Sequence, residues 1–189
     1  EVSIVNKIEK EKYPSDCYSF LSIHGPFTST GFFCFGMMPF VFQSILSIFM
    51  ILSVVDPKIG TNEDVDNPNP DDGFFGAFIP ADVTPLVQAT QVVSFLAYVV
   101  FADSSLEDIT TAVSLFPRFS QTKAEDKTGL IVFSSILRGT QGILATIAAF
   151  LLVITSNSVI DIVLDFTAVG FISQLDNVAF YLAKAGRFG

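Results

Sequence analysis

The sequence predicts an all-α polytopic integral membrane protein: four transmembrane helices, the last two forming an antiparallel C-terminal hairpin, and one short surface helix. Three observations lead to this prediction. Half of the 189 residues are hydrophobic, only 15% are charged and the mean hydropathy is +0.57, a balance shifted toward membrane proteins. Charge-free runs of membrane-crossing length recur along the chain. The few basic residues collect between these runs.

The chain is predicted to be a single membrane domain, 1–189, that begins with an interfacial leader. Residues 1–28 contain the charged run NKIEKEK and then several helix breakers and cap residues. Residues 31–55 follow with 25 residues that carry no charge. At about 1.5 Å per residue, such a helix crosses a hydrocarbon core about 30 Å thick. This run is the first predicted span, and Pro39 should kink it.

An acidic loop, a shorter span and an amphipathic helix come next. Residues 56–84 are rich in Pro, Asn, Asp and Gly, which predicts a loop. Residues 85–102 form the second predicted span, with Pro85 at its start, where a missing N–H costs nothing. Residues 103–117 predict a short helix on the membrane surface. Its apolar face would comprise Leu106, Ile109, Val113 and Phe116.

The third and fourth predicted spans are residues 130–154 and 159–183. Between them lies a tight polar turn in which Ser156 to Ser158 can cap the next helix. Because the turn is short, the two spans should pack as an antiparallel hairpin. The third span also carries small residues at a spacing that lets helix backbones approach closely: Gly139, Gly142, Ala145 and Ala149.

The basic residues support four crossings. They precede the first span, separate the second from the third, and follow the fourth: Lys7, Lys10, Lys12, Arg118, Lys123, Lys127, Lys184 and Arg187. Four crossings put all of them on one side, so the positive-inside rule places both termini on the cytosol-equivalent side. If residues 159–183 lay flat on the membrane, the last two would fall on the opposite side. That interfacial alternative stays open.

The fourth span carries three aspartates, Asp161, Asp165 and Asp176. They share about 60° of one helix face. Because charges in hydrocarbon are costly, this intramembrane acidic stripe must face protein, a polar cavity or a partner. Hairpin register puts Arg138 level with residue 175, which predicts a structural ion pair between Arg138 and Asp176. Asp165 has no basic partner, so it is protonated, hydrogen-bonded to Ser or Thr, or functional.

Two function hypotheses follow. In the first, the chain is a small non-catalytic accessory or structural subunit of a larger membrane assembly, and Asp161 and Asp165 contact a partner subunit. In the second, it is an ion or proton channel or transporter module, with Asp165 titrating or ligating beside Gln141 and Thr167. No nucleophile with a base and no phosphate loop is visible, so we expect no enzyme. A net charge of −9 with ten Lys and Arg residues argues against nucleic acid.

Several polar residues in or near the spans have two interpretations. They could bind a chlorophyll magnesium or a carotenoid end group, or they could bridge helices. These residues are His24, Gln43, Gln88, Gln91, Gln141 and Asn177. The single histidine and two cysteines fit no zinc spacing. The acidic run NEDVDNPNPDDG resembles a calcium loop, but prolines interrupt its ligand spacing, so we expect no metal site.

Three segments carry a resemblance to a known group of proteins. They are GFFCFGMMPFVFQSILSIFMILSVVD, VTPLVQATQVVSFLAYVVFADSSLEDITTAVSLF and SNSVIDIVLDFTAVGFISQLDNVAFYLAKAGRFG. In these segments the chain resembles uncharacterised polytopic membrane proteins of diatoms and related stramenopile algae. The resemblance implies an algal membrane protein and supports the hairpin. It points to a photosynthetic complex of the thylakoid as the host, with lipids and other membrane subunits as partners, and it supplies no catalytic residue.

Overall fold

The computed structural model describes residues 15–23, 25–27, 29–55, 84–100, 104–115 and 128–185. Within these ranges the chain forms seven α-helices and no strand, which confirms the all-α prediction. The helices are α1 Tyr18–Ile23, α2 Thr30–Val55, α3 Pro85–Val100, α4 Ser104–Leu115, α5 Thr128–Thr155, α6 Val159–Ser173 and α7 Leu175–Lys184. By length and composition, α2 and α5 are each able to cross a membrane.

Helix α5 is the centre of the bundle. It contacts α1, α2, α3, α4 and α6. Its small residues allow α4 to approach closely: a methyl group added at Gly142 would lie 2.5 Å from the carbonyl oxygen of Ser105. One added at Gly139 would lie 3.3 Å from the Cβ of Ala112. The small-residue spacing seen in the sequence therefore marks a real helix contact.

Helix α4 is the predicted surface helix, and it packs against α5 through a face that only partly coincides with the predicted one. The side chains it buries are Ser105, Asp108, Ala112 and Leu115. Of the predicted apolar face, Leu106 and Ile109 are half-buried and pack inward, whereas Val113 is 63% exposed. Phe116 lies outside the described residues.

Part of the predicted interfacial leader lies inside the bundle. Cys17, Tyr18, Phe20 and Leu21 are fully buried, and α1 packs against α2 and α5. The ring of Phe20 lies 5.6–5.9 Å from the rings of Phe32, Phe35 and Phe180. Residues 15–23 therefore form part of the packed bundle, because burial of these aromatic and apolar side chains outweighs the helix-breaking residues around them. Their position relative to a membrane interface stays a prediction. Residues 1–14 lie outside the described part.

The predicted hairpin is present, and its second arm is broken. Three residues, 156–158, join α5 to α6, and apolar clusters pair Val153 with Ile162 and Ala149 with Val169, which is an antiparallel register. The hydroxyl of Ser158 caps α6 by accepting the Ile160 N–H at 3.2 Å. The helix then stops at Gln174 and resumes as α7. The continuous helix predicted for residues 159–183 is therefore two helices.

Helix α3 begins at Pro85, as predicted, and ends at Val100. Its 16 residues span about 24 Å, which is less than a typical hydrocarbon core. The predicted acidic loop, 56–84, lies outside the described residues except for Thr84.

The described part of the molecule exposes many large apolar side chains and buries several polar ones beside its apolar clusters. Large apolar side chains are exposed on α2, α3 and α6, for example Phe49 at 62%, Val93 at 63% and Phe171 at 67%. Buried inside are long polar side chains such as Gln43 and Arg138, at 0% and 1%. An apolar surface of this extent favours a membrane environment for the bundle.

Candidate functional site

Four charged side chains meet in the interior, each from a different element. Asp16 precedes α1, Asp108 lies on α4, Arg138 on α5 and Asp176 on α7. All four are buried, with exposures of 4%, 8%, 1% and 0%. One carboxylate oxygen from each aspartate lies within 4.8 Å of the other two. We refer to these four residues as the Asp–Arg cluster, and its three carboxylates are the described groups best placed to hold a cation.

Asp16 is the main partner of Arg138. The guanidinium Nη2 donates to Oδ1 of Asp16 at 2.6 Å and to Oδ2 at 2.5 Å. The Oδ1 atom also accepts from the backbone N–H of Ser19 at 3.0 Å and from its hydroxyl at 3.2 Å. The guanidinium carbon lies 5.5 Å from the centre of the Tyr18 ring, close enough for a cation–π contact. Both carboxylate oxygens of Asp16 thereby accept at least one hydrogen bond.

The predicted ion pair between Arg138 and Asp176 is wrong. Arg138 pairs with Asp16 and, more loosely, with Asp108, whose Oδ1 lies 3.9 Å from the guanidinium Nε. Hairpin register correctly brought Arg138 and Asp176 into one cluster. It could not anticipate Asp16, which arrives from a segment 122 residues earlier in the chain.

Gln43 hydrogen-bonds both to Asp176 and to the backbone at the break between α6 and α7. Its buried side-chain nitrogen donates to Asp176 Oδ1 at 3.0 Å and to the carbonyls of Ile172 and Ser173 at 3.0 and 3.3 Å. Its oxygen accepts from the Tyr18 hydroxyl at 2.9 Å. The broken helix frees backbone carbonyls, and Gln43 satisfies two of them. The Oδ2 atom of Asp176 is buried and has no hydrogen-bond partner among the described residues.

The cluster holds more acid than base. Three carboxylates face one guanidinium, so full ionisation leaves two surplus negative charges in a buried place. Burial is the main reason that the pKa of the Asp108 carboxyl is raised to about 9. The negative charges of Asp176, Asp16 and Glu107 raise this pKa further, and the positive charge of Arg138 lowers it. Buried groups of this kind take up positive charge, as a proton or as a cation.

A polar cavity of about 480 Å³ reaches the cluster from the protein surface. Asp16 and Asp108 form its inner wall, and exposed side chains such as Glu107 and Tyr181 form its outer part. Its remaining lining residues are Ser15, Thr111, Gln174, Asn177 and Val178. The cavity therefore offers a polar path between the surface and the two carboxylates.

The predicted acidic stripe separates into three environments. Asp161 is exposed in the first turn of α6, where the helix dipole favours a negative charge. Asp165 is half-buried, and its Oδ2 accepts from the Ser156 hydroxyl at 2.8 Å. Asp176 alone joins the cluster. The proposed helper Thr167 is exposed and donates to its own helix at the Val163 carbonyl.

The other polar residues singled out in the sequence mostly bridge helices. Gln91 donates to the Ile154 and Ser156 carbonyls at 3.0 and 3.3 Å, which satisfies the end of α5. Gln141 is buried and accepts from Ser44 at 3.2 Å. Gln88 is exposed, Asn177 lines the polar cavity, and His24 lies outside the described residues.

Sequence reasoning missed Asp16 and Asp108. Asp16 lies among cap residues and helix breakers, so nothing in its surroundings indicates burial. Asp108 offered a usable signal, because it shares a helix face with Ser105 and Ala112, and this small face matches the glycines of α5. An arginine within an apolar span also calls for an acidic partner from some other element.

A second cavity, of about 340 Å³, is apolar and lies among α3, α4, α5 and α6. Aromatic and aliphatic side chains form most of its wall, including Phe95, Phe150 and Phe166. The hydroxyls of Tyr98 and Thr146, two of its lining residues, are hydrogen-bonded to each other at 3.1 Å. The apolar lining suits a hydrocarbon chain.

Comparison with known proteins gives no family for this chain. No protein-family model matches it, and no curated protein or solved structure matches it. The chemistry of the Asp–Arg cluster is therefore argued from its own geometry.

Proposed function

We propose that this chain is a helical integral membrane protein that takes up a cation or proton at the Asp–Arg cluster, as the ion-binding module of a channel or transporter. The observation that carries the proposal is the burial of three carboxylates around one guanidinium. Buried acids are expensive inside a membrane protein and commonly mark ion or proton sites. The polar cavity ending at Asp16 and Asp108 supplies the route from water.

The proposed membrane arrangement has four crossings: α2, α3, α5, and α6 together with α7. The exposed apolar side chains and the placement of the basic residues support it. The break at Gln174 falls inside the fourth crossing, where irregular backbone is tolerated because Gln43 satisfies the freed carbonyls. Broken helices next to buried charges recur at the ion sites of transporters.

The proposed ligating groups are the carboxylates of the Asp–Arg cluster, in place of Asp165. Asp165 is occupied by a hydrogen bond from Ser156 and does not line the polar cavity. Asp176 keeps one oxygen without a donor. An incoming positive charge is therefore better accommodated beside Asp176 and Asp108.

The test is ion flux in liposomes that contain the purified full-length chain. Separate dyes report protons, sodium, potassium and calcium, and the variants are Asp176→Asn and the matched control Asp161→Asn. We expect flux of one of these ions, reduced at least about tenfold by Asp176→Asn, because charge compensation at a buried site contributes several kcal/mol, and unchanged by Asp161→Asn. Absence of flux for all four ions, or flux that Asp176→Asn leaves intact, would overturn the proposal.

The apolar cavity favours a second candidate, an accessory subunit of a larger membrane assembly such as an algal photosynthetic complex of the thylakoid. A cavity of about 340 Å³ bounded by aromatic rings could hold the chain of a carotenoid, a chlorophyll tail or a lipid. Native purification in mild detergent, followed by an absorption spectrum and mass spectrometry, tests this candidate. Stoichiometric pigment or stable partner subunits would support it, and a colourless homo-oligomer would remove it.

A further inference from the structure

The geometry of the Asp–Arg cluster points to a specific ligand: we infer that Asp16, Asp108 and Asp176 bind one divalent cation of the hard, oxygen-preferring class, with the size of Ca²⁺. This inference rests on the proposed function in treating the cluster as an ion site. It concerns binding alone, so it holds or fails without any movement of ions across a membrane.

The spacing of the carboxylates is compatible with an ion of this size. One oxygen from each of the three aspartates lies within 4.8 Å of the others. Calcium binds oxygen at 2.3–2.6 Å, so three ligands spread evenly around it are about 4.0–4.5 Å apart. The three carboxylates are therefore close enough together to share one such ion.

A second observation is the unpartnered oxygen of Asp176. This side chain is fully buried, and Gln43 occupies its Oδ1 atom at 3.0 Å. Its Oδ2 atom is buried, and no residue in the described part of the chain donates to it. A buried carboxylate oxygen without a partner is costly. A cation held between Asp176 and its two neighbouring carboxylates supplies that partner.

With all three carboxylates ionised, charge balance favours a divalent ion over a monovalent one. The three carboxylates and the Arg138 guanidinium sum to two negative charges when all are ionised. One divalent cation neutralises this surplus, whereas one monovalent cation leaves a buried charge. Arg138 also fixes Asp16 through two bonds from Nη2. The first ligand is thus held in place before the ion arrives.

The polar cavity provides entry and additional oxygen atoms. Its inner wall contains Asp16 and Asp108, and the amides of Gln174 and Asn177 line the same space. Calcium takes six to eight oxygen ligands. Three carboxylates, nearby amide oxygens and water from the cavity can supply that number.

Terbium luminescence tests the inference directly. Tb³⁺ replaces Ca²⁺ in oxygen sites and emits when a neighbouring tyrosine is excited. Tyr181 lines the cavity, Tyr18 packs on Arg138, and the chain has four tyrosines and no tryptophan, so the signal has few sources. The measurement uses the full-length chain in detergent. We expect one saturable Tb³⁺ site that Ca²⁺ displaces.

Variants assign that signal to the cluster. Asp176→Asn keeps the oxygen that Gln43 contacts and removes the charge, and it should weaken the saturable site at least about tenfold. Asp161→Asn, at an exposed acid outside the cluster, should leave it unchanged. Weak binding to the acidic segment 61–72 stays in every variant as a constant background, because neither substitution touches it.

A second variant and a second readout keep the test decisive if Asp176→Asn does not fold. The second variant, Asp108→Asn, removes another ligand, from a side chain that lines the cavity. The second readout is the Tm. Ca²⁺ should raise the Tm of the native chain and of Asp161→Asn but not the Tm of Asp108→Asn. Absence of a saturable site in the native chain, or a site that survives Asp108→Asn, overturns the inference. Proton or monovalent flux that depends on Asp176 without Tb³⁺ binding would overturn the divalent ligand and keep the proposed function. Tb³⁺ binding without any flux would overturn the proposed function and keep the divalent ligand.

Discussion

Arg138 and Asp16 form a buried ion pair with two hydrogen bonds, in which one guanidinium nitrogen donates to both carboxylate oxygens, at 2.6 and 2.5 Å. The pair joins the centre of α5 to the segment before α1, and the Tyr18 ring lies beside it. The ion pair anchors the segment around Asp16 to α5. The other two acids of the cluster, Asp108 and Asp176, are consequently left without a closely bonded cation.

Removal of Arg138 should destabilise the protein strongly. Arg138→Gln leaves Asp16 buried without its cation, which typically costs about 3–5 kcal/mol. Chemical unfolding in detergent measures this loss. Lys184→Gln, at an exposed position near the end of α7, is the control and should change the free energy of unfolding far less.

A double-mutant cycle shows whether the loss comes from the pair itself. Asp16→Asn in the Arg138→Gln background removes the unpaired charge, so the double variant should be more stable than Arg138→Gln alone. Equal stability of the single and the double variant would contradict the assigned partner.

Gly142→Ala should destabilise the contact between α4 and α5. The added methyl lies 2.5 Å from the backbone carbonyl of Ser105, and backbone cannot move aside as a side chain can. Overpacking of this kind costs about 1–3 kcal/mol. Gly170→Ala is the matched control, because nothing lies within 4 Å of its added methyl and alanine favours helix. Thermal unfolding that gives equal Tm values for the two variants would refute the close approach.

Gln43→Leu should weaken the junction between α6 and α7. The substitution leaves Asp176 Oδ1 and the Tyr18 hydroxyl without their partner, and buried unsatisfied groups cost about 1–3 kcal/mol each. Gln88→Leu, on an exposed face of α3, should stay within about 0.5 kcal/mol of the native chain. Hydrogen exchange at Ile172 to Asn177 reports the junction directly. Unaltered exchange there in Gln43→Leu would show that Gln43 does not hold the break.

Stability without divalent cations should fall as pH rises. The pKa of Asp108 is about 9 in the folded protein and 3.8 as its ordinary value, so between these values the folded state binds more protons than the unfolded state. The stabilisation from Asp108 is then complete below pH 3.8 and lost as pH rises through about 9. The comparison is the free energy of unfolding of the native chain and Asp108→Asn, with chelator, from pH 5 to pH 10. A difference that stays constant with pH would contradict the raised pKa.

Local patterns predicted much of the helical framework. The charge-free run that ends at Val55 predicted α2, and the third apolar run predicted α5. Pro85 marked the start of α3. The short polar turn predicted the antiparallel hairpin and its cap at Ser158. Helical periodicity, charge-free length and capping depend on residues close in sequence, so they can be read without the fold. The break at Gln174 was missed because no proline or glycine marks it. Its stability comes from Gln43, more than a hundred residues away.

By itself, the sequence determined an all-α chain with an apolar surface and at least one charge that needed a buried partner. Only the tertiary structure decided which acids meet Arg138. Side-chain ion pairs depend on the three-dimensional approach of distant segments, and Asp16, Asp108 and Asp176 come from separate elements. The face of α4 that carries Asp108 is buried for the same reason, because it lies against Arg138 and the glycines of α5. Solvent preference sets which residues can lie inside, and the packing partner sets which of them do.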